Sequence, residues 1–278
     1  MSEFITLEMI DEAVAAIHSY TQRKPKIGLI LGTGLGDMAE SVSPADIIHY
    51  SKIPHWPQST IQGHKGRLVI GDLEGQPALI MQGRAHYYEG YSMPIVGFPV
   101  RVMIRMGVKV LVVTNAAGGV NPDYEPGDVM LINDHISLIA MGGLNPLWGP
   151  NIDEFGERFP DMSQPYDQEL LSLAKEIAKE KGLSPREGVY VCLAGPSFES
   201  PADLRFLHTI GVDAVGMSTV PEVITARHAK LRVLGLSGIS NKANLDGSTV
   251  TTHEEVLEAG KILVPKMDAI IRGVIRRL

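Results

Sequence analysis

Short apolar runs that stop at clusters of glycine and polar residues recur along this 278-residue chain. Val108–Val113 is nearly continuous in apolar, mostly β-branched side chains, the mark of a strand covered on both faces, and it breaks off into Thr114-Asn-Ala-Ala-Gly-Gly119. Lys26–Leu31 ends at Gly32-Thr-Gly-Leu-Gly36, Pro77–Met81 leads to Gly83-Arg-Ala-His86, and Gly188–Leu193 leads to Gly195-Pro-Ser-Phe-Glu199. Ala214–Met217 and Arg232–Leu236 run into Met217-Ser-Thr219 and Ser240-Asn241. Strands buried on both faces need a layer on each side, and the segments between them supply helical periodicity. Residues 6–21 repeat apolar side chains at Leu7, Ile10, Val14 and Ile17; Met93–Met106 and 166–180 do the same. Pro221–His228 fits a short helix, with Thr219 and Glu222 spaced as a capping box. Thr252–Glu255 opens a final helix in the same way, and Pro265 is expected to kink it. Leu68–Ile70 and Pro77–Met81 form a hairpin through Asp72–Gly75, and Val129–Ile132 is a further strand. The expected fold class is α/β: a single domain over residues 1–278, with a mixed central β-sheet flanked by α-helices. Gly142–Pro165 has no period and is too long for a plain connection, so a functional loop is expected there.

Composition limits what such a fold can serve. The surface scaling law lets a chain of this mass bury roughly 73% of its unfolded surface, ample for a core without disulfides or a structural metal. Lys and Arg number 25 against 32 Asp and Glu, a net charge of −7, which argues against a general nucleic-acid binder. The single cysteine, Cys192, excludes an intramolecular disulfide, and its apolar surroundings in the sequence suggest an inert buried thiol. Met1–Ile5 lacks the basic and apolar regions of a secretory signal, and no apolar stretch approaches the ~20 residues that span a bilayer. A soluble, cytoplasmic protein without membrane partners is expected.

In open α/β sheets, ligands bind outside the carboxyl ends of the strands, so the six polar clusters are expected to form one site. Gly32–Gly36 has the spacing G-x-G-x-G, which matches neither the dinucleotide fingerprint nor a P-loop. Taken alone it is an ordinary glycine turn; with Thr33 it offers backbone N–H groups and a hydroxyl to one anion. Arg84 and His86, two residues apart, add a guanidinium fork and an imidazole, and Arg pairs bidentately with phosphate or carboxylate. With Thr33, the Ala116 backbone and Ser218 they suggest an inorganic-phosphate pocket. Glu199 accepts from N–H groups and Asn241 both donates and accepts, while Phe198 and Tyr88 suit a flat ring. In isolation each has a simpler role, as cap, turn or core residue. No His, Cys, Asp or Glu spacing suggests a metal site.

These residues resemble the trimeric, low-molecular-mass purine nucleoside phosphorylases. The matching segments are LGTGLG, GRAHYYEG, TNAAGGVNPDYEPGDVMLINDHISL, AGPSFESPADLRFLHTIGVDAVGMSTVPEV and NKAN…HEEV, in the family's order and over nearly the whole chain. The resemblance implies a nucleoside phosphorylase-like fold and phosphorolysis of purine (2′-deoxy)ribonucleosides to free base and pentose 1-phosphate. Inorganic phosphate would be a co-substrate, with no further cofactor. By the family pattern Thr33, His64, Arg84, His86, Ala116 and Ser218 would bind phosphate, and His64 would close over it from a mobile loop. Tyr88, Met217 and His253 would hold the sugar; Phe198, Glu199, Val215 and Asn241 would hold the purine. Asn241, Glu199 and His86 would carry the catalytic roles. Phe159 would reach a neighbouring subunit's sugar site, which implies a homotrimer. Thr33 stands where many relatives have Ser, keeping the hydroxyl. Asn241 with His253 points to inosine and guanosine, the alternative being a methylthioadenosine or broad-specificity phosphorylase on the same scaffold.

Overall fold

The computed structural model describes residues 4–32, 34–61, 64–243 and 253–278, the side chains of 253–257 excepted. Helix α1 (Leu7–His18) starts where the Thr6 hydroxyl accepts from the Met9 N–H at 3.2 Å, and it buries Ile10, Ala13 and Ile17. Strand β1 (Ile27–Leu31), buried throughout, leads towards the short edge strand β2 (Ala45–His49). β3 (Arg67–Leu73) and β4 (Gln76–Gln82) form the expected hairpin, its tip held by Glu74 and Gly75 at φ 53° and 81°. Two consecutive positive φ values are the geometry that lets a two-residue turn match strand twist. α2 (Met93–Arg105) begins at Met93–Pro94.

β5 (Val110–Gly119) and β6 (Val129–Ile136) are both longer than their apolar runs. The single turn α3 (Leu138–Met141) precedes the irregular stretch, and α4 (Gln168–Glu180) follows it. Asp167 caps α4 by accepting from the Leu170 N–H at 2.9 Å, and the inward stripe Leu170, Leu171, Ala174, Ile177 and Ala178 is buried as the periodicity predicts. Then come β7 (Arg186–Cys192), α5 (Pro201–Thr209), β8 (Ala214–Gly216), α6 (Val220–His228), β9 (Arg232–Lys242) and α7 (His253–Arg276). α7 runs through Pro265 as one element. The Thr252 cap predicted for it lies outside the described residues.

Among the described residues the strands form a mixed sheet in the order β2-β3-β4-β1-β5-β8-β7-β6-β9. An additional β5–β9 pairing closes its second half into a ring. β1 is parallel to β4 and β5, and β5 to β9; β6 and β8 run antiparallel to their ring neighbours β9 and β5. The sequence suggests an open sheet, and closure is the departure from it. β5 makes it possible, because Gly118 pairs with Val215 on one side and Asn241 on the other, just past a register shift at Ala117. The segment 114–119, read as a loop from its composition, is therefore strand. Small residues fit there because neighbours crowd the backbone on each side. Helices flank the sheet, and the buried side chains form one large core with a smaller cluster around Val120, Leu204 and Val215. Cys192 is fully buried, and burial pushes its thiol pKa well up. No helix among the described residues is long and apolar enough to cross a membrane.

Candidate active site

The parallel strands β1, β4, β5 and β9 deliver their carboxyl ends to one edge of the sheet. β7 and β8 run the other way and still reach the site, because β8 pairs antiparallel beside the end of β5 and the chain after Gly216 returns along β5 towards Asn115. The contact that records this return is the Asn115 Nδ2 bond to Thr219 Oγ1 at 2.9 Å. Gly32 abuts β5 so closely that a Cβ there would lie 2.7 Å from the Thr114 carbonyl, and the Gly32 N–H donates to Thr114 Oγ1 at 3.0 Å. Thr33 itself lies outside the described residues, as does the side chain of His253.

After β4 the chain turns at Gly83, whose φ of 99° suits glycine, and any side chain there would strike His64. Arg84 then points inward and is buried. Its Nη1 donates to Glu222 Oε1 at 3.0 Å and to Thr219 Oγ1 at 3.3 Å, and its Nη2 donates to the Thr114 carbonyl. His64 feels both Arg84 and His86 as neighbouring charges, so the two stand on the same side of the site. His86 stacks between two rings, His64 at 5.6 Å and Tyr88 at 4.8 Å. Its Nδ1 lies 3.0 Å from Glu89 Oε1, which also accepts from the His86 backbone N–H at 2.8 Å. Burial alone would raise the Glu89 carboxyl, but bonds from His86 and Thr60 hold it down at about 2. A carboxylate on Nδ1 fixes the imidazole's orientation and leaves Nε2 to work. Burial, with His86 and Arg84 as like charges, lowers His64 to about 4. His64 Nδ1 sits 2.9 Å from both Ser59 Oγ and the Arg84 carbonyl, and Nε2 has no partner among the described residues.

The sugar and base side is assembled across three strands. A Cβ on Gly195 would strike Met217 Sδ and come within 3.0 Å of Tyr88, so Tyr88 and Met217 share one wall. Val215, Gly118 and Asn241 stand abreast on β8, β5 and β9. The Ser240 hydroxyl reaches Asn241 Oδ1 at 2.9 Å, which leaves Nδ2 as the end of the amide with a donor to offer. Ala116, in β5, is half-buried, and Ser218 is buried beside Thr219. Glu199 is half-buried directly before α5, and burial raises its carboxyl above the ordinary value, with Asp203 a lesser contributor. Phe198 is half exposed. Phe159 stands apart: it is 85% exposed on the irregular segment between α3 and α4, touched by the Arg158 guanidinium at 5.9 Å.

Sequence reasoning missed Glu89, Thr219, Glu222, Asn115 and Ser240. Glu89 had a signal in the His-x-x-Glu spacing of a capping box, which the structure forms at His86. Glu222 was assigned to a different box; Thr219 makes no side-chain cap bond, and the carboxylate turns to Arg84 instead.

Comparison with known proteins defines the class first. Residues 26–276 match the family model of the phosphorylase superfamily. The chain is 53% identical over 251 residues to purine nucleoside phosphorylase 1 of Bacillus subtilis, covering 90% of this chain and 92% of that one. Two crystal structures of Schistosoma mansoni purine nucleoside phosphorylase are similar throughout. One, in complex with inosine, has a TM-score of 0.95 at 40% identity and covers 100% of this chain and 99% of its own. Another, in complex with adenosine, has a TM-score of 0.94 at 41% identity and covers 98% of each chain. The chain belongs to the low-molecular-mass purine nucleoside phosphorylase family and is an enzyme of the pentosyltransferase class.

Proposed function

We propose that this enzyme cleaves 6-oxopurine nucleosides, chiefly inosine and guanosine and their 2′-deoxy forms, by attack of inorganic phosphate on the sugar. Arg84, His86, Ser218, His64, Thr33 and the Ala116 backbone hold the phosphate; Tyr88, Met217 and His253 hold the sugar; Phe198, Val215, Glu199 and Asn241 hold the base. Breaking the glycosidic C–N bond builds positive charge on the sugar ring and negative charge on the departing purine. An anion beneath the sugar stabilises the first, and donors aimed at the base stabilise the second, a preorganised electrostatic effect that is often the largest in catalysis. Asn241 donates from Nδ2 towards N7 or O6, and Glu199 accepts from N1–H. The observation that supports this reading is the Ser240–Asn241 contact at 2.9 Å, since it engages Oδ1 and leaves Nδ2 as a donor that suits a 6-oxopurine. The Schistosoma protein's complex with adenosine makes the 6-amino substrate the necessary comparison. The exposed Phe159 supports a homotrimer in which that ring completes a neighbour's sugar site. The test is purine release from inosine, guanosine and adenosine, each with and without phosphate. Phosphate-dependent release from the first two alone is expected; equal turnover of adenosine would overturn the base assignment, and release without phosphate would overturn phosphorolysis.

A further inference from the structure

Arg84 is 2% exposed, and a guanidinium so deeply buried is costly unless its charge is met and its donors are used. The carboxylate that meets it, at 3.0 Å, is Glu222, itself buried, from the first turn of α6. α6 cannot easily turn to release it, because eight of its nine residues, Val220–Ala226 and His228, are buried. An acid at this position ordinarily bonds back to the cap residue's N–H. Here that role is given up for Arg84.

A guanidinium has five N–H donors. Nη1 spends two on Glu222 and Thr219, and Nη2 spends one on the Thr114 carbonyl. Among the described residues Nε–H and one Nη2–H have no partner, and Nε with Nη2 is an edge through which arginine grips an anion with two parallel bonds. Thr219 is built for the same purpose. Its φ of 73° and the Val220 N–H to Ser218 carbonyl bond at 2.8 Å make a tight three-residue turn that a β-branched residue adopts only under constraint. Its hydroxyl accepts from both Arg84 and Asn115, so its own proton is left for Ser218 Oγ at 3.4 Å, which holds that hydroxyl in place beside Tyr190.

We propose that Glu222 and Thr219 are positioning residues that fix the donor direction of Arg84 and Ser218, so that α6 sets phosphate affinity without touching the anion. This rests on Arg84 and Ser218 being phosphate ligands, as proposed above. The experiment is steady-state kinetics of the full chain, with phosphate and inosine varied separately, and the rise in Tm on adding phosphate as a second readout. Glu222→Ala raises the phosphate KM by about tenfold, leaves the inosine KM within about twofold, and weakens the phosphate-induced rise in Tm. Glu222→Gln keeps an acceptor for Nη1 and removes a charge that repels the anion, so it returns the phosphate KM to the wild-type value or below. Thr219→Val and Thr219→Ser make the same contrast if Glu222→Ala does not fold: loss with valine, retention with serine. A phosphate KM unchanged in Glu222→Ala, an equal change in both KM values, or no recovery with glutamine overturns the proposal. Arg84→Lys separates the two levels. If it leaves the phosphate KM unchanged, the phosphate site itself is misassigned; if it raises that KM while the Glu222 and Thr219 variants do not, only the positioning role fails.

Discussion

At Asn241 the two ends of the side-chain amide are chemically opposite, and Oδ1 faces the Ser240 hydroxyl at 2.9 Å, which the Ala117 carbonyl shares at 3.2 Å. With Oδ1 engaged, Nδ2 is available to a purine that gains negative charge as it leaves. Removing one such aimed donor costs on the order of 3 kcal/mol in the barrier, or ~100-fold in rate. Asn241→Ala is therefore expected to lower kcat on inosine by about that factor, and much less on a nucleoside whose base is a good leaving group. Equal losses on both substrates would remove Asn241 from the chemistry. The side chains that the sequence singled out differ in kind from those it missed. Arg84, His86, Glu199 and Asn241 follow apolar runs within polar clusters and so announce themselves. Glu222 and Ser240 act through another side chain; Ser240 adjoins Asn241 in the chain, but only the fold brings Glu222 to Arg84, 138 positions away. Spacing in the sequence carries no trace of such a pair.

Elements with one apolar face were legible, and elements held by backbone crowding were not. α4 shows its buried stripe in the sequence at helical period, but β5 and β9 continue through Ala, Gly, Ser and Asn, where composition suggests a loop. Their pairing runs from Val110↔Arg232 to Gly119↔Lys242, so main-chain hydrogen bonds rather than apolar side chains sustain the second half of each strand. α5 went unseen because only Leu204 and Leu207 are buried on it while Phe206 is exposed. Its signal was the capping box, in which the Ser200 hydroxyl accepts from the Asp203 N–H at 3.2 Å and the Asp203 carboxylate accepts from the Ser200 N–H at 2.9 Å. That cap follows Glu199 immediately, so it anchors the Glu199 carboxylate as well as the helix. Ser200→Ala should cost about 1 kcal/mol of stability, the usual worth of an N-cap hydroxyl. A several-fold rise in the inosine KM, with the phosphate KM unchanged, should accompany it. A stability loss with both KM values intact would make the cap purely structural.

Across the whole molecule, the decisive event is the closure of the second half of the sheet into a ring. No local pattern predicts it, because it depends on β5 pairing with both β8 and β9 at Gly118, residues separated by about a hundred positions from their partners. The fold also buries titratable groups among the strands and the loops they support, which ties stability to pH. His64 against Gly83 and His135 on β6, where its Nδ1 meets Tyr166 Oη at 3.2 Å, are both lowered to about 4, chiefly by burial. An unfolded chain binds a proton at each from about pH 6.5 downward, whereas the folded chain does not until near pH 4. The stability each neutral imidazole contributes is thus complete above pH 6.5 and is lost as pH falls through 4, at up to about 1 kcal/mol per pH unit for each group within that window. Glu89 adds to the loss only lower, as pH drops from 4.5 towards about 2. Thermal unfolding in a phosphate-free buffer should therefore show Tm nearly flat from pH 8 to 6.5 and falling between 6.5 and 4. His135→Gln keeps a polar partner for Tyr166 but cannot titrate, so it should make that fall shallower even if it lowers Tm at neutral pH. The slope is the discriminating quantity: an unchanged slope in the glutamine variant would show that His135 is not one of the groups taking up protons as the chain unfolds.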